Sequence, residues 1–428
     1  MQMPSLIIQG RQPLGGTIKV GGNKNAVLPM IASLMLTDEP CVLRNVPDIL
    51  DVRTMLDIAR HLGAEAELKG DTLYFQCKNV TRTEVDKELC ARNRTSILFA
   101  GPMLARCGRI ALGRPGGDSI GRRRLDGHLY GLENLGTRIS EDSCFRFTRL
   151  GKRLQGRELF LDEPSVTATE QIISAAVTAE GITTLYNAAS EPHVTDLGEM
   201  LNKMGAKISG LGSNILTIEG VEKLHGVEHE VVFDHINAGS FVALAAATGA
   251  DLTIEGVRPR SFWMLRRVYE RLGINVGLYD NRITVSSEQS RQIKYDAGGP
   301  FLQISDGPWP QFPTDMMSCT IVAATQCRGT VTFFEKMFDG RMNFVDRLID
   351  MRANAIICDP HRVVITGPSE LKGTELASPD IRAGMALVIA ALCAKGESRI
   401  RRAEIIYRGY GNLVEKLRSI GASVDEVD

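Results

Sequence analysis

The chain has 428 residues, 43% hydrophobic and 24% charged, enough for two or three domains and a large core in an ordinary globular composition. Its 50 Lys and Arg against 51 Asp and Glu leave a net charge of -1, which excludes the basic field that nucleic-acid binding needs. The opening MQMPSLIIQGRQPLGG breaks early with polar residues and no apolar run reaches membrane length, so neither a signal peptide nor a membrane partner is expected, and nine cysteines without a CxxC pair or metal-ligand spacing read as reduced thiols of a cytoplasmic protein without a metal site.

In chain order, a strand pattern, SLIIQGRQPLGGTIKV, precedes six repeats of roughly 70 residues. The first helix of each repeat opens at a polar start and is apolar nearly all round, hence buried. These are NKNAVLPMIASLM from Asn23, NRTSILFAGPMLA from Asn93, TATEQIISAAVTA from Thr167, NAGSFVALAAATG from Asn237, TDMMSCTIVAATQ from Thr314 and PDIRAGMALVIAALCA from Pro379. A strand with β-branched residues follows each, beginning with CVLRNV at Cys41 and RIALGR at Arg109. A second helix then closes near His61, Asn134, Lys203, Arg271, Asp350 and Ser419, and two alternating strands complete the repeat. The pattern predicts an α/β fold with helices inside and sheets outside, three repeats per globule. Residues 23–232 are expected to form one domain, carrying the Gly-rich loop 113–125, and residues 1–22 with 233–428 the other. The N-terminal hairpin is expected to complete the sixth repeat, and the crossings near Gly22 and Phe233 to form a hinge.

Buried helices that start together bring their partial positive ends and orphan amides to one place, which favours an anion. Lys24, Arg94 and Arg382 stand at such starts. The segment GRPGGDSIGRRRLDGH, Gly113 to His128, sets Asp118 among four glycines and follows it with Arg122, Arg123 and Arg124, the composition of a flap that can approach a ligand closely. KMFDGRMNF supplies Arg341 and IIYRGYGN supplies Arg408. Lys24, Arg94 and Arg123 from one globule and Arg341, Arg382 and Arg408 from the other are expected to surround one space. Their number implies a substrate pair carrying a carboxylate plus phosphates. Asp118 and Asp315 are the carboxylates able to exchange protons, Asp315 being delivered by the Gly- and Pro-rich stretch 295–313, which reads as a loop. His128 suits a structural hydrogen bond as well as a ligand contact.

The motifs NKNAVLP, PGGDSIGRRRLDGH, FPTDMMS, FDGR, PDIRAG and RGY, in this order over the whole chain, resemble the UDP-N-acetylglucosamine enolpyruvyl transferase family. The resemblance implies a two-domain inside-out α/β barrel. It also implies transfer of the enolpyruvyl group of phosphoenolpyruvate to the 3-hydroxyl of UDP-N-acetylglucosamine with release of phosphate, the first committed step of peptidoglycan synthesis, with no metal or organic cofactor. Lys24, Arg123 and Arg408 would then bind the phosphate and carboxylate of phosphoenolpyruvate, with Arg94, Arg341 and Arg382 around them. Asn25 and Asp315 would contact the sugar, Asp315 taking the proton of the attacking hydroxyl. Arg124, His128, Thr167 and Asp380 complete the implied substrate-binding set. Asp118 stands where many members carry a reactive cysteine, so fosfomycin, an epoxide that needs a thiolate, would find no target. Departures gather on the nucleotide side: Glu163 and Thr167 replace Lys and Gly, Arg124 replaces a proline beside the uracil, Asn237 a glutamate, and Tyr407 an aspartate. Two other readings therefore stand beside the first: a paralogous enolpyruvyl transferase with another nucleotide-sugar acceptor, and a non-catalytic binding homologue.

Overall fold

Residues 158–219 show the repeat in full. Strand Glu158–Phe160 leads into helix Val166–Ala176 and returns as strand Ile182–Tyr186, parallel to the first. Helix Pro192–Lys203 follows, and then the antiparallel strands Lys207–Ser209 and Ile215–Glu219. The parallel pair requires a helical crossover, whereas the final hairpin needs only a short turn. In Ile215–Glu219 the buried Leu216 and Ile218 alternate with more exposed neighbours, so one face of the sheet is turned to the core. This computed structural model describes residues 4–118, 120–299 and 301–427, and among them are six four-stranded sheets; four have the chain order first, second, fourth, third, and the other two keep that arrangement with Glu228–Glu230 in the first place of one and Ser5–Gln9 in the fourth place of the other.

By its contacts the chain divides into an inserted unit, residues 22–117 and 123–232, and a terminal unit, residues 1–21, 118–122 and 233–428. Each is an inside-out α/β barrel with three sheets outside and helices within. In the terminal unit the helices His235–Thr248, Thr314–Ala324 and Ile381–Cys393 pack on one another. Residues 235–247, 316–324 and 381–392 are buried throughout, as a helix apolar on every side must be. In the inserted unit the inner positions go to Lys24–Ser33, Val166–Ala176 and the stretch 94–107.

Several expectations need correction. The N-terminal segment is not a hairpin within the sixth repeat. Ser5–Gln9 lies between Glu397–Arg401 and Ser423–Val427, antiparallel to both, while Gly15–Lys19 runs parallel to Asp251–Glu255 as the first strand of the fourth repeat. In the inserted unit, Glu228–Glu230 closes the ring by pairing in parallel with Cys41–Arg44 of the first repeat. The helix start expected at Asn237 lies at His235, capped by Asp234, whose carboxylate accepts from the amides of Ile236 and Asn237. Arg94–Phe99 is a 3-10 helix before the α-helix Ala100–Cys107, because Pro102 lacks the amide that would bond Leu98. The stretch 295–313 contains a strand, Leu302–Ser305, parallel to Gly329–Phe334. Among the described residues no helix is long and apolar enough to cross a membrane.

Candidate functional site

In the inserted unit, helix Lys24–Ser33 starts where the Asn23 side chain accepts from the amides of Asn25 and Ala26. This places Lys24 and the half-buried Asn25 in its first turn. The Lys24 ammonium lies 2.6 Å from Asp51, a buried acid in the first turn of helix Leu50–Leu62. The Asp51 carbonyl accepts from Asn93, which caps the 3-10 stretch carrying Arg94. Arg94 donates to the carbonyls of Arg123 at 3.0 Å and Arg124 at 2.8 Å. Gly117, at φ +117°, brings the loop against both side chains, since a Cβ there would lie 3.0 Å from Arg94 Cβ and 3.3 Å from Arg123 Nη1. Burial, and then the neighbouring charge of Arg123, push the Arg94 pKa down to about 10. Two guanidiniums this close favour an anion beside them.

Arg124 pairs with Asp126 at 2.7 Å, and Asp126 opens helix Asp126–Asn134, which buries His128. His128 Nε2 hydrogen-bonds Thr167 Oγ1 at 2.9 Å. Burial, then Arg94, push the imidazole down to about 3, so it is neutral at physiological pH. Lys24, Arg94, Arg123, Arg124, His128 and Thr167 thus sit on one connected set of contacts.

The remaining expected residues come together in the terminal unit. Pro313 offers no side-chain cap to helix Thr314–Ala324, and Asp315 occupies its first turn. Asp315 Oδ1 accepts from Arg341 Nη2 at 2.8 Å and Oδ2 from Arg382 Nε at 3.3 Å. Arg341 is 2% exposed against 29% for Asp315, so the carboxylate is the accessible member. Burial alone would lower the Arg341 pKa, but Asp315, Asp380 and Glu335 outweigh it and hold the group above its usual value. Arg382 lies over the Tyr410 ring at 5.4 Å. Arg341 Nε and Arg382 Nη1 are buried donors without a protein acceptor, a demand that an anionic ligand meets.

Asp380 serves as a helix cap: its Oδ1 accepts from the amides of Arg382 and Ala383. Arg408 Nη1 donates to Asp118 Oδ1 at 2.6 Å. Arg122 N donates to Asp339 Oδ1, and Gly340 N to the Ile120 carbonyl. A Cβ on Gly121, at φ +120°, would fall 2.0 Å from Asp339 Oδ1, so the close docking of this segment requires glycine. Ser119 lies outside the described residues.

Sequence reasoning overlooked Asp51, Asp126, Asp339 and the contact from Asn237 Nδ2 to the Gly409 carbonyl at 3.4 Å. The signal for Asp51 is its place on the apolar face of an amphipathic helix, in line with Met55 and Ile58.

A model of the EPSP synthase (3-phosphoshikimate 1-carboxyvinyltransferase) family matches residues 8–417. A Treponema denticola protein named UDP-N-acetylglucosamine 1-carboxyvinyltransferase is 52% identical over 424 residues, covering 99% of both chains. A Borreliella burgdorferi protein of the same name is 50% identical over 425 residues, again covering 99% of both. Among solved structures, the enolpyruvyl transferase NikO from Streptomyces tendae shares the fold with a TM-score of 0.87 at 22% identity, covering 100% of this chain and 99% of that one. EPSP synthase from Acinetobacter baumannii does so at 0.76 and 18% identity, covering 100% of both. With a family model spanning nearly the whole chain and half the residues shared with full-length relatives, the chain belongs to the EPSP synthase (3-phosphoshikimate 1-carboxyvinyltransferase) family.

Proposed function

We propose that this chain transfers the enolpyruvyl group of phosphoenolpyruvate to the 3-hydroxyl of UDP-N-acetylglucosamine and releases phosphate, the first committed step of peptidoglycan synthesis. The observation that carries the reading is full-length identity of up to 52% to relatives bearing the corresponding name. The site supports it with Asp315, a carboxylate in the first turn of a buried helix, clamped by two guanidiniums.

In this reading Lys24, Arg123 and Arg408 hold the phosphate and carboxylate of phosphoenolpyruvate, and Arg94, Arg341 and Arg382 supply further positive charge. Asn25, Arg124, His128 and Thr167 orient the nucleotide sugar. Asp315 accepts the proton of the 3-hydroxyl as its oxygen bonds to the central carbon of the enol, while a proton passes to the methylene carbon with Asp118 as donor. The tetrahedral adduct then returns that proton to Asp118 and expels phosphate, restoring the double bond. The guanidiniums stabilise the charge that develops without exchanging protons. No metal or organic cofactor takes part. The chain works in the cytoplasm, a reading supported by its nine free cysteines.

The test is phosphate release from phosphoenolpyruvate with UDP-N-acetylglucosamine as acceptor, with mass spectrometry of the sugar. The expected product has gained one enolpyruvyl group. Release only with a different nucleotide sugar would establish the paralogue, and silence with every acceptor the binding homologue.

A further inference from the structure

A pair of buried acids not used in the chemistry lies behind Asp315 and Arg341. Asp306 follows strand Leu302–Ser305, and Glu335 follows strand Gly329–Phe334. These strands run parallel with Ser305 opposite Phe334, so the two acids leave the sheet side by side, and both are 0% exposed. The charge of the neighbouring Glu335 acts on the Asp306 carboxyl and disfavours its ionisation. Glu335 Oε2 accepts from the hydroxyl of Thr314, the residue before Asp315, at 2.7 Å. Glu335 Oε1 accepts from the amides of Met337 and Phe338 at 3.0 and 3.1 Å, at the start of the loop that ends on Arg341. Asp306 Oδ1 accepts from the amide of Lys336 at 2.6 Å. The helix start bearing Asp315 and the loop bearing Arg341 are thus fastened to one carboxyl pair.

We propose that Asp306 and Glu335 are positioning residues for the Asp315–Arg341 ion pair, holding its two supporting elements in register through one shared proton. The proposal rests on the transferase reading, in which Asp315 takes the hydroxyl proton. Two buried acids at adjacent strand ends, away from water, cannot both stay ionised without strong repulsion. With Oδ1 engaged by Lys336, the otherwise unpartnered Oδ2 is the Asp306 oxygen left to carry the proton. Burial, and then Glu335, push the Asp306 pKa up to about 8. The charged and titratable groups around the pair are few. His361 Nδ1 bonds the Glu335 carbonyl at 2.7 Å, and the Arg341 charge acts on Glu335, with Asp315 beyond it. Lys336 and Arg362 lie over the ring of Phe334, and Asp339 sits on the same loop. Loss of the shared proton sets Asp306 and Glu335 against each other and loosens the Lys336–Phe338 amides, and with them Arg341.

The test compares the full-length protein with Asp306→Asn, whose amide imitates the protonated acid and does not titrate, and with Asp306→Ala. In the parent, kcat should decline as pH rises through about 8. Asp306→Asn should keep kcat within about threefold of the parent at pH 7 and lack this alkaline limb, while Asp306→Ala should lose roughly tenfold in kcat at every pH. An unchanged alkaline limb in Asp306→Asn overturns the proposal. A second readout does not depend on turnover. The folded chain keeps the Asp306 proton up to about pH 8, whereas the unfolded chain releases it near 4. This group's contribution to stability is therefore present at low pH, is lost as pH rises from about 4 to about 8, and is level beyond. That slope should be visible in the melting temperature of the parent relative to Asp306→Asn, and equal slopes overturn the shared proton. Absence of turnover in both proteins, with the difference in slope present, overturns the transferase reading and the positioning role but not the shared proton.

Discussion

Asp118 and Arg408 make a contact with direct consequences for chemistry and for inhibition. The guanidinium lies 2.6 Å from the Asp118 carboxylate, and both side chains are mostly buried. An acid at this position can pass a proton to and from carbon, but its oxygen is a poor nucleophile toward an epoxide, so incubation of the native protein with fosfomycin should leave activity unchanged. Asp118→Cys would set a thiol beside the same guanidinium, where the neighbouring positive charge favours the thiolate. That variant should lose activity progressively with fosfomycin and gain mass by one adduct, whereas equal, time-dependent inactivation of native and variant proteins would show that residue 118 does not decide sensitivity. Asp315 presents the contrasting case, a carboxylate whose two oxygens are divided between Arg341 and Arg382. It stands in the first turn of helix Thr314–Ala324.

Helices Asp126–Asn134 and Val166–Ala176 are joined through His128 and Thr167, and the join is sensitive to acid. Burial, then Arg94, lower the His128 pKa to about 3, and burial, then Arg382, lower that of His235 to about 4. Histidine in an unfolded chain titrates near 6.5, so between these values the unfolded chain binds more protons than the folded one. The stability contributed by the neutral rings is present above about pH 6.5 and is lost as pH falls, by an order of 1.4 kcal/mol per pH unit for each ring. His128→Gln keeps a group able to bond Thr167 but removes the titration. Its melting temperature should fall less than the parent's between pH 7 and pH 5, and identical slopes would exclude His128 as a source. Asp306 acts in the opposite sense over an overlapping range, so the difference between parent and variant carries the test. At this scale much was legible. All-round apolar helices reveal themselves locally, and Lys24, Arg94 and Arg382 follow from where such helices begin. Strand Leu302–Ser305 did not, because four residues between Gly and Pro clusters carry too little periodicity to separate strand from loop. The buried acids Asp51, Asp306 and Glu335 were missed for a related reason: an acid in sequence reads as solvated until its partner is placed in space.

The closure of each ring is the property furthest from local sequence. Six similar repeats announce six similar sheets, yet pattern alone does not say which sheet a lone strand completes, and Ser5–Gln9 and Gly15–Lys19, neighbours in sequence, enter different sheets. Ser5–Gln9 is an internal strand, paired on both sides, with Leu6 and Ile8 at 0% exposure. Its removal would open two ladders and withdraw two large side chains, each contributing roughly 2 kcal/mol by transfer alone and more with the cavity left behind. Glu397–Arg401 and Ser423–Val427 would then present unpaired edges. Deleting residues 1–12 should therefore unfold the terminal unit, while the inserted unit, whose closing strand Glu228–Glu230 lies elsewhere, keeps its core. Limited proteolysis is expected to leave fragments of the inserted unit and digest the rest, and a synthetic peptide of residues 4–12 should restore protection by refilling the gap. A deletion variant that melts and resists protease like the parent would show that the sixth sheet does not depend on its borrowed strand.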